Sequence, residues 1–552
     1  MANSAQEDKG VLADNLRPDE STEFKWPVTS NSKVWRFLLN GNTSSMVKHS
    51  SILTGINSEE IDKLLFQTIE DGKGIELVNT IYKVFSEGTS VKYEAIVYAL
   101  TLCTCSENAE VKTKAYGLVN EICDQSSHFL QFVDFHEKIC LAKRKTTGWS
   151  RSHRNAVQKW YQRKSPLEVA KSITKCPRYN HWTHKDVLRL AHTIPENEGQ
   201  EVVSSFIVAG LKKTLERYKN ESEEKIDEAQ KVLQYLEQAM MVRSSQDSLR
   251  VIAVFKKLNL SWDFIPCHLH KDPQLWKFLL PFLPLTVIIQ NVCRMAKLRL
   301  FDAPDPAEVQ FFISTAVKVQ EVKDSGLHPY HILMYRELYN NAMNDAKRKI
   351  SWKPHPGIMA GLNKCFLLAI QHNLKPTGKR YFITIDASNS MKAHIANNNH
   401  VQCRVAAACM ALCIARTEQK VIVKAFSKEL TDIKIEETTG LDDIVKCLEE
   451  TPLGGTDCSR PIIFAKGKKI KTDVFIVFTD KETWCGKTTP REALCQYRKY
   501  VKIPAKLIVV ALNAEGTTEK VVADPEDRGM LDIFGFSPSI PNIISNFASY
   551  NY

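Results

Sequence analysis

Between Glu23 and Ala369, apolar residues recur at i, i+3, i+4 and i+7 in successive short runs, each closed by a polar break. That spacing lines one face of an α-helix. SEEIDKLLFQTIED (58–71), GIELVNTIYKVFSEG (74–88), YEAIVYALTLCTC (93–105) and EVKTKAYGLVNEICDQ (110–125) are therefore predicted as amphipathic helices. Strand-like alternation is nearly absent from this region and no strict repeat period is visible, so HEAT-like helix pairs stacked on one another are expected. After LKPTGKR (374–380) the pattern changes. Short β-branched runs at 381–385, 420–426, 473–479 and 506–512 alternate with helical stretches at 401–417, 441–450 and 490–501. Nearly continuous apolar strands interleaved with helices predict a parallel, doubly wound, Rossmann-like sheet covered on both faces. The expected order is a disordered polar tail (1–22), a helical-repeat domain (23–369) and an α/β domain (374–552).

Composition adds little to the fold and more to the location. Apolar and charged residues make up 43% and 25% of the 552 positions, as in ordinary globular proteins. The longest apolar stretch, FLLPFLPLTVII (278–289), is broken by Pro281 and Pro284 and is too short to span a bilayer. The amino terminus has neither a basic start nor an apolar core, so a cytoplasmic or nuclear monomer with no membrane partner is expected. The 15 cysteines lie singly on apolar segments and read as reduced, buried thiols. Cys267, His268 and His270 in PCHLH could donate to a metal, but no second cluster completes the set.

Charge is concentrated. From Lys143 to Arg189, thirteen lysines and arginines face only Glu168 and Asp186, a net of +11, equal to the excess of the whole chain. A second island, Asn341 to Arg380, is also strongly basic. Such self-repulsion persists where a polyanion relieves it, and nucleic acid is the expected one. The first island interleaves its cations with Trp149, Trp160, Tyr161, Tyr179 and Trp182, which could stack on unpaired bases. Lys171, Lys175 and Arg178 fall at i, i+4 and i+7 on one predicted stripe; Arg151 and Arg154 share a face, with Lys159 beyond them, and Lys185 and Arg189 share another. THKD (183–186) has capping-box character and places His184 and Lys185 in a first helical turn, where free N–H groups attract phosphate. A plainer reading is equally open. Basic stripes are common on solvated helices, Trp160 and Trp182 suit a core, and His184 shares its face with Val187, Leu188 and Ala191. With no zinc finger, basic zipper or RRM signature, recognition by shape and backbone favours structured RNA over DNA.

At the start of the α/β domain, YFITIDASNS (381–390) places Asp386, Ser388 and Ser390 where a strand opens into a loop. Thr456 in PLGGTDCS and Asp480 in DVFIVFTD occupy comparable strand ends. Ligands of doubly wound folds sit beyond the carboxyl ends of the strands. Three hydroxyls and two carboxylates are hard oxygen donors, suited to Mg²⁺ or Mn²⁺ and not to zinc. A nucleophilic serine would need G-x-S-x-G, and PTGKR (376–380) lacks the spacing of a phosphate-binding loop. The pattern resembles the metal-ion-dependent adhesion site of von Willebrand factor A domains. By that resemblance Ser388, Ser390 and Thr456 are direct ligands, Asp386 and Asp480 bind directly or through water, and the ion recruits a partner's carboxylate without chemistry.

Stretches such as VWRFLLNG (34–41), GWSRSHRNAVQKWY (148–161), WTHKDVLRLAH (182–192), HPYHIL (328–333), PTGKRYFITIDASNSM (376–391), GGTDCS (454–459) and ADPEDRGMLD (523–532) together resemble the TROVE family, specifically its Ro ribonucleoprotein members that bind Y RNAs. The resemblance implies a HEAT-type ring closed by an A domain, Y RNA on the outer basic surface, and 3′ ends of misfolded noncoding RNA in the central hole. It puts His184 on the Y RNA face and Arg151, Arg154, Lys171 and Lys175 in matched helices, and it implies a non-enzymatic role in RNA stabilisation and quality control. Two departures stand out: His181 where the family has Gly, and Lys481 after Asp480 where it has Asn. The rival reading is a protein-interaction scaffold with a Mg²⁺-dependent carboxylate site.

Overall fold

A computed structural model describes residues 25–48, 55–56, 58–218, 227–258, 260–302, 306–341, 352–396, 398–427, 429–452, 457–481, 488–514 and 522–550. The expected tail, 1–22, lies outside them. The periodic segments are helices with nearly the expected limits: Ser58–Thr68, Gly74–Ser86, Tyr93–Thr104 and Ala109–Ile122. The first runs into a π turn at Ile69–Lys73, where Gly72 takes a φ of 79°, a conformation open to glycine. No helix among the described residues is long and apolar enough to cross a membrane.

Four consecutive helices carry the basic island: α1 (Ser126–Arg144), α2 (Arg151–Gln162), α3 (Pro166–Lys175) and α4 (His184–Ala191). The local sequence sets their starts. Ser150 accepts the His153 N–H at the head of α2, while Ser165–Glu168 and Thr183–Asp186 form capping boxes at α3 and α4. The expected stripe through Arg178 is corrected. Pro177 follows Cys176, whose extended backbone (φ −129°, ψ 85°) ends α3, so Arg178 lies in a two-stranded ribbon, β2 (Arg178–Tyr179) with β3 (Trp182–Thr183). The ribbon's left-handed residue is Asn180 (φ 51°), which tolerates it, so His181 stands where the family has Gly without strain.

The α/β region has one seven-stranded sheet: β1 (Met46–Lys48), β9 (Met530–Phe534), β8 (Lys506–Ala511), β7 (Val474–Thr479), β4 (Arg380–Asp386), β5 (Lys420–Phe426) and β6 (Leu430–Asp432), in that spatial order. All neighbours are parallel except the β5–β6 edge pair. Side chains alternate between two cores, as strand geometry requires. Ile383, Ile385, Ile476, Phe478, Ile508 and Val510 share one continuous cluster with Cys403–Thr417, Ile540–Ser549 and the helical region. Phe382, Phe475, Val477, Leu507 and Val509 face the helices Arg460–Gly467 and Pro490–Val501.

The sheet does not stay within residues 374–552. β1 comes from the start of the helical region and pairs in register Met46↔Asp532, Val47↔Ile533 and Lys48↔Phe534. Trp35 stacks on Tyr550 at 5.4 Å, and the Tyr550 hydroxyl donates to Glu87 at 2.5 Å. The last helices of the helical array, Pro329–Asn340 and Pro356–Asn373, pack on the helix Cys403–Thr417. Both ends of the array thus meet the α/β unit, and the series of contacts closes on itself.

Candidate functional site

Chain order reverses around β4: β5 follows on one side, and β7 returns on the other. The crevice beyond the carboxyl ends of β4 and β7 is therefore the topological switch point. Asp386, the last residue of β4, is 2% exposed. Its Oδ1 accepts the Ser388 N–H at 2.8 Å and its Oδ2 accepts from Thr479 Oγ1 at 3.1 Å. The turn presents Ser388 and Ser390 together, with their hydroxyl oxygens 2.8 Å apart. Neighbouring ligands of an octahedral Mg²⁺ are separated by about 3.0 Å, given metal–oxygen distances near 2.1 Å. Asp480, 6% exposed, follows β7 on the adjacent strand, held by its carbonyl, which accepts the Asn513 N–H at 2.8 Å. Burial, with the charge of Asp480 adding to it, pushes the thiol of Cys403, the first residue of the helix Cys403–Thr417, up to about 12.

These residues fit a hard divalent cation: two nearly buried carboxylates and two paired hydroxyls at one strand-end crevice, with no soft donor among them. Thr456 lies outside the described residues. Lys481 is exposed, and its carbonyl accepts from Thr479 Oγ1 at 3.0 Å. Thr479 was missed in the sequence because its identity is hidden inside an apolar strand; its hydroxyl links the two strand ends. The three residues of PCHLH do not converge: Cys267 is exposed, His268 meets the Ser245 carbonyl at 3.1 Å, and His270 stacks on Trp262 at 4.5 Å.

On the basic helices the cations point outward. Arg151, Arg154, Lys159, Lys171, Lys175, Arg178, Lys185 and Arg189 are all exposed. Of the thirteen cations between 143 and 189, the ion pairs among the described residues occupy three: Arg163 and Lys164 on Asp124, and Lys175 on Asp263. The aromatic platform is corrected. Trp160, Trp182 and Tyr161 are buried at 1%, 4% and 8% exposure, and Trp160 stacks on Phe129 at 4.2 Å while donating its indole N–H to the Cys123 carbonyl. Only Trp149 and Tyr179 of the five reach intermediate exposure.

His184 is corrected in the same way. It is 3% exposed, and burial lowers its pKa to about 4. The Cys176 carbonyl can only accept, so His184 carries its proton on Nε2, shared between that oxygen at 3.2 Å and Ser126 Oγ at 2.6 Å. Ser126 donates in turn to the Cys176 carbonyl at 2.8 Å, and the Tyr161 hydroxyl donates to Nδ1 at 2.7 Å. Every polar atom of the ring is satisfied inside the protein, so this imidazole braces α1, α2 and α4 and offers nothing to a surface ligand. Lys112, outside the basic island, and Arg144, within it but not singled out from it, join Arg154 around a groove also lined by Thr146, Thr147 and Ser150.

Comparison with known proteins decides the relationship. The TROVE domain model matches residues 18–348, more than half of the chain, and a Ro60 vWA domain model matches 380–548. The chain belongs to the TROVE family. Its TROVE relatives include an RNA-binding protein RO60 from Caenorhabditis elegans, 29% identical across 95% of this chain and 89% of that protein. Another, from Deinococcus radiodurans, is 25% identical across 95% and 94%. The crystal structure of the Deinococcus radiodurans RO (RSR) protein superposes with a TM-score of 0.82 at 25% identity, covering 94% of this chain and 99% of that one. The TROVE architecture, a helical array with a C-terminal vWA domain, is thus the architecture of this chain.

Proposed function

We propose that this chain is a non-enzymatic RNA-binding protein. It binds structured small noncoding RNA of the Y RNA type on the outer cationic face of α2, α3 and α4, and single-stranded 3′ ends of misfolded noncoding RNA within the ring, for stabilisation and quality control. The observation that carries this reading is the outward projection of cations that form no ion pair among the described residues, Arg151, Arg154, Lys185 and Arg189 among them. Buried tryptophans leave phosphate contacts and RNA shape as the mode of binding, and the relatives named RNA-binding protein RO60 support the same class of ligand. In this reading the protein acts as a monomer in the cytoplasm or nucleus.

The experiment is a salt titration of binding to a stem-loop RNA with a single-stranded 3′ tail. Affinity falls steeply with salt, by a slope of about 0.7 to 0.9 for each phosphate neutralised. The triple change Arg151→Glu, Arg154→Glu, Lys171→Glu flattens that slope; unchanged affinity and slope would sink the proposal. A second reading is favoured by the oxygen donors of Asp386, Ser388, Ser390 and Asp480: in it they, with Thr456, hold Mg²⁺, or Mn²⁺ in its place, which ligates a carboxylate of a protein partner. Partners retained after nuclease treatment and released by chelation would support that reading.

A further inference from the structure

Beneath the entry to α2, three soft ligands converge that the function above does not use. Cys105, just past the helix Tyr93–Thr104, and His136 and Cys140, one turn apart on α1, are buried at 5%, 2% and 3% exposure. Their ligand atoms all lie within 4.8 Å of one another. Cys105 Sγ and Cys140 Sγ are 3.7 Å apart, and Cys140 Sγ is 3.9 Å from His136 Nδ1. A tetrahedral zinc with Zn–S near 2.3 Å and Zn–N near 2.0 Å has edges of about 3.8 Å between sulfurs and about 3.5 Å between sulfur and nitrogen. Two of the three edges are thus spaced almost as those between ligands of one ion, and the third, between Cys105 and His136, lies within 4.8 Å.

Two further observations point the same way. The Tyr116 hydroxyl lies 3.2 Å from His136 Nε2, so the far nitrogen of the ring has a partner and Nδ1 is left for the sulfurs; metal-binding histidines are oriented by such a contact. Gly148 closes over the cluster with φ 77°, and a Cβ there would stand 2.7 Å from Cys140 Sγ and 2.8 Å from His136 Nδ1. The space beside the ligand atoms is kept open by the one residue that leaves it empty.

We propose that Cys105, His136 and Cys140 bind one zinc ion, with the fourth position open to the groove lined by Thr104, Tyr116, Thr147 and Ser150. Two thiolates balance the dication, so no net charge is buried. Both sulfurs bind the ion as thiolates, so protons compete with the metal and occupancy falls with acid. The ion ties the end of Tyr93–Thr104 to α1 directly under the turn whose Ser150 caps α2, and so holds Arg151 and Arg154 in place. This site shares no residue with the oxygen-lined crevice at Asp386, and its occupancy is independent of whether RNA binds.

The test uses the full chain, purified under reducing, chelator-free conditions from zinc-supplemented medium, with elemental analysis. About one zinc per chain is expected, retained in Asp386→Ala and in Cys123→Ser, a buried thiol outside the cluster, and lost in Cys105→Ser and Cys140→Ser. Zinc-edge X-ray absorption of the unmodified chain requires no variant and is expected to show two sulfur neighbours near 2.3 Å. Cobalt exchange should give a thiolate-to-metal charge-transfer band. The proposal is overturned by a zinc-free reduced protein, by oxygen and nitrogen scatterers alone, by full occupancy in both serine variants, or by a Cys105–Cys140 disulfide in anaerobically prepared protein.

Discussion

Replacing His184 by alanine separates a bracing imidazole from one that meets RNA. Truncation removes the acceptor of the Tyr161 hydroxyl and the donor to Ser126 and the Cys176 carbonyl, all inside the protein. An orphaned buried hydroxyl costs about 1–3 kcal/mol, and the emptied volume beside Phe129 and Trp160 adds a cavity term, for a total of about 3–5 kcal/mol at neutral pH. The pH dependence sharpens the test. A histidine held at about 4 when folded and near 6.5 when unfolded is neutral in the native state, so its contribution is complete above about 6.5 and is lost as pH falls towards 4. Across that interval the wild type loses on the order of 3 kcal/mol that His184→Ala does not, because the variant has no imidazole to protonate. Other buried histidines, such as His328, titrate equally in both proteins and cancel. The assay is native-state hydrogen exchange of peptides from 126–191 at pH 7, 6 and 5, with RNA affinity measured in parallel. A variant of unchanged protection and pH profile that binds RNA more weakly would refute the bracing role.

Three further outcomes follow from the geometry. Mg²⁺ should raise the melting temperature of the wild type but not of Asp386→Ala, the gain approaching about 2.7 kcal/mol at a hundred times the dissociation constant, measured by scanning calorimetry. Asp527→Asn should destabilise the chain by about 3–5 kcal/mol in urea unfolding, because Arg498 and Asp527, at 2% and 0% exposure, are ion-paired 2.5 Å apart beneath Trp26. Trp160→Ala should cost about 3–5 kcal/mol through its stack on Phe129, whereas Lys159→Ala on the same helix should change stability by less than about 0.5 kcal/mol in the same measurement.

Periodicity made most elements legible. The strand at 420–426 and the helices at 441–450 and 490–501 were placed to the residue, because β-branched runs and amphipathic faces report directly on local backbone and burial. The strand-end carboxylate and hydroxyls were legible for the same reason: chain order alone puts Asp386 and Asp480 at parallel strand ends. What periodicity cannot report is partnership at long range. Met46–Lys48 is three residues long, too short to show alternation, and its partner is Asp532–Phe534. Nor does a face shared by His184, Val187 and Leu188 tell whether the imidazole has found Tyr161 and Ser126. Arg178 slipped off its stripe because one proline outweighs a favourable spacing.

The pairing of Met46–Lys48 with Met530–Phe534 bears on how the molecule is made. A ribosome adds about 5–20 residues each second, so the early segment emerges about half a minute to a minute and a half before the segment it must join. During that wait its N–H and C=O groups need water or a chaperone, and the parallel edge it will cover does not yet exist. Cutting the gene at the boundary between the two family matches would leave that edge bare on one fragment and strand its complement on the other, so co-expressed halves should reassemble where either alone aggregates.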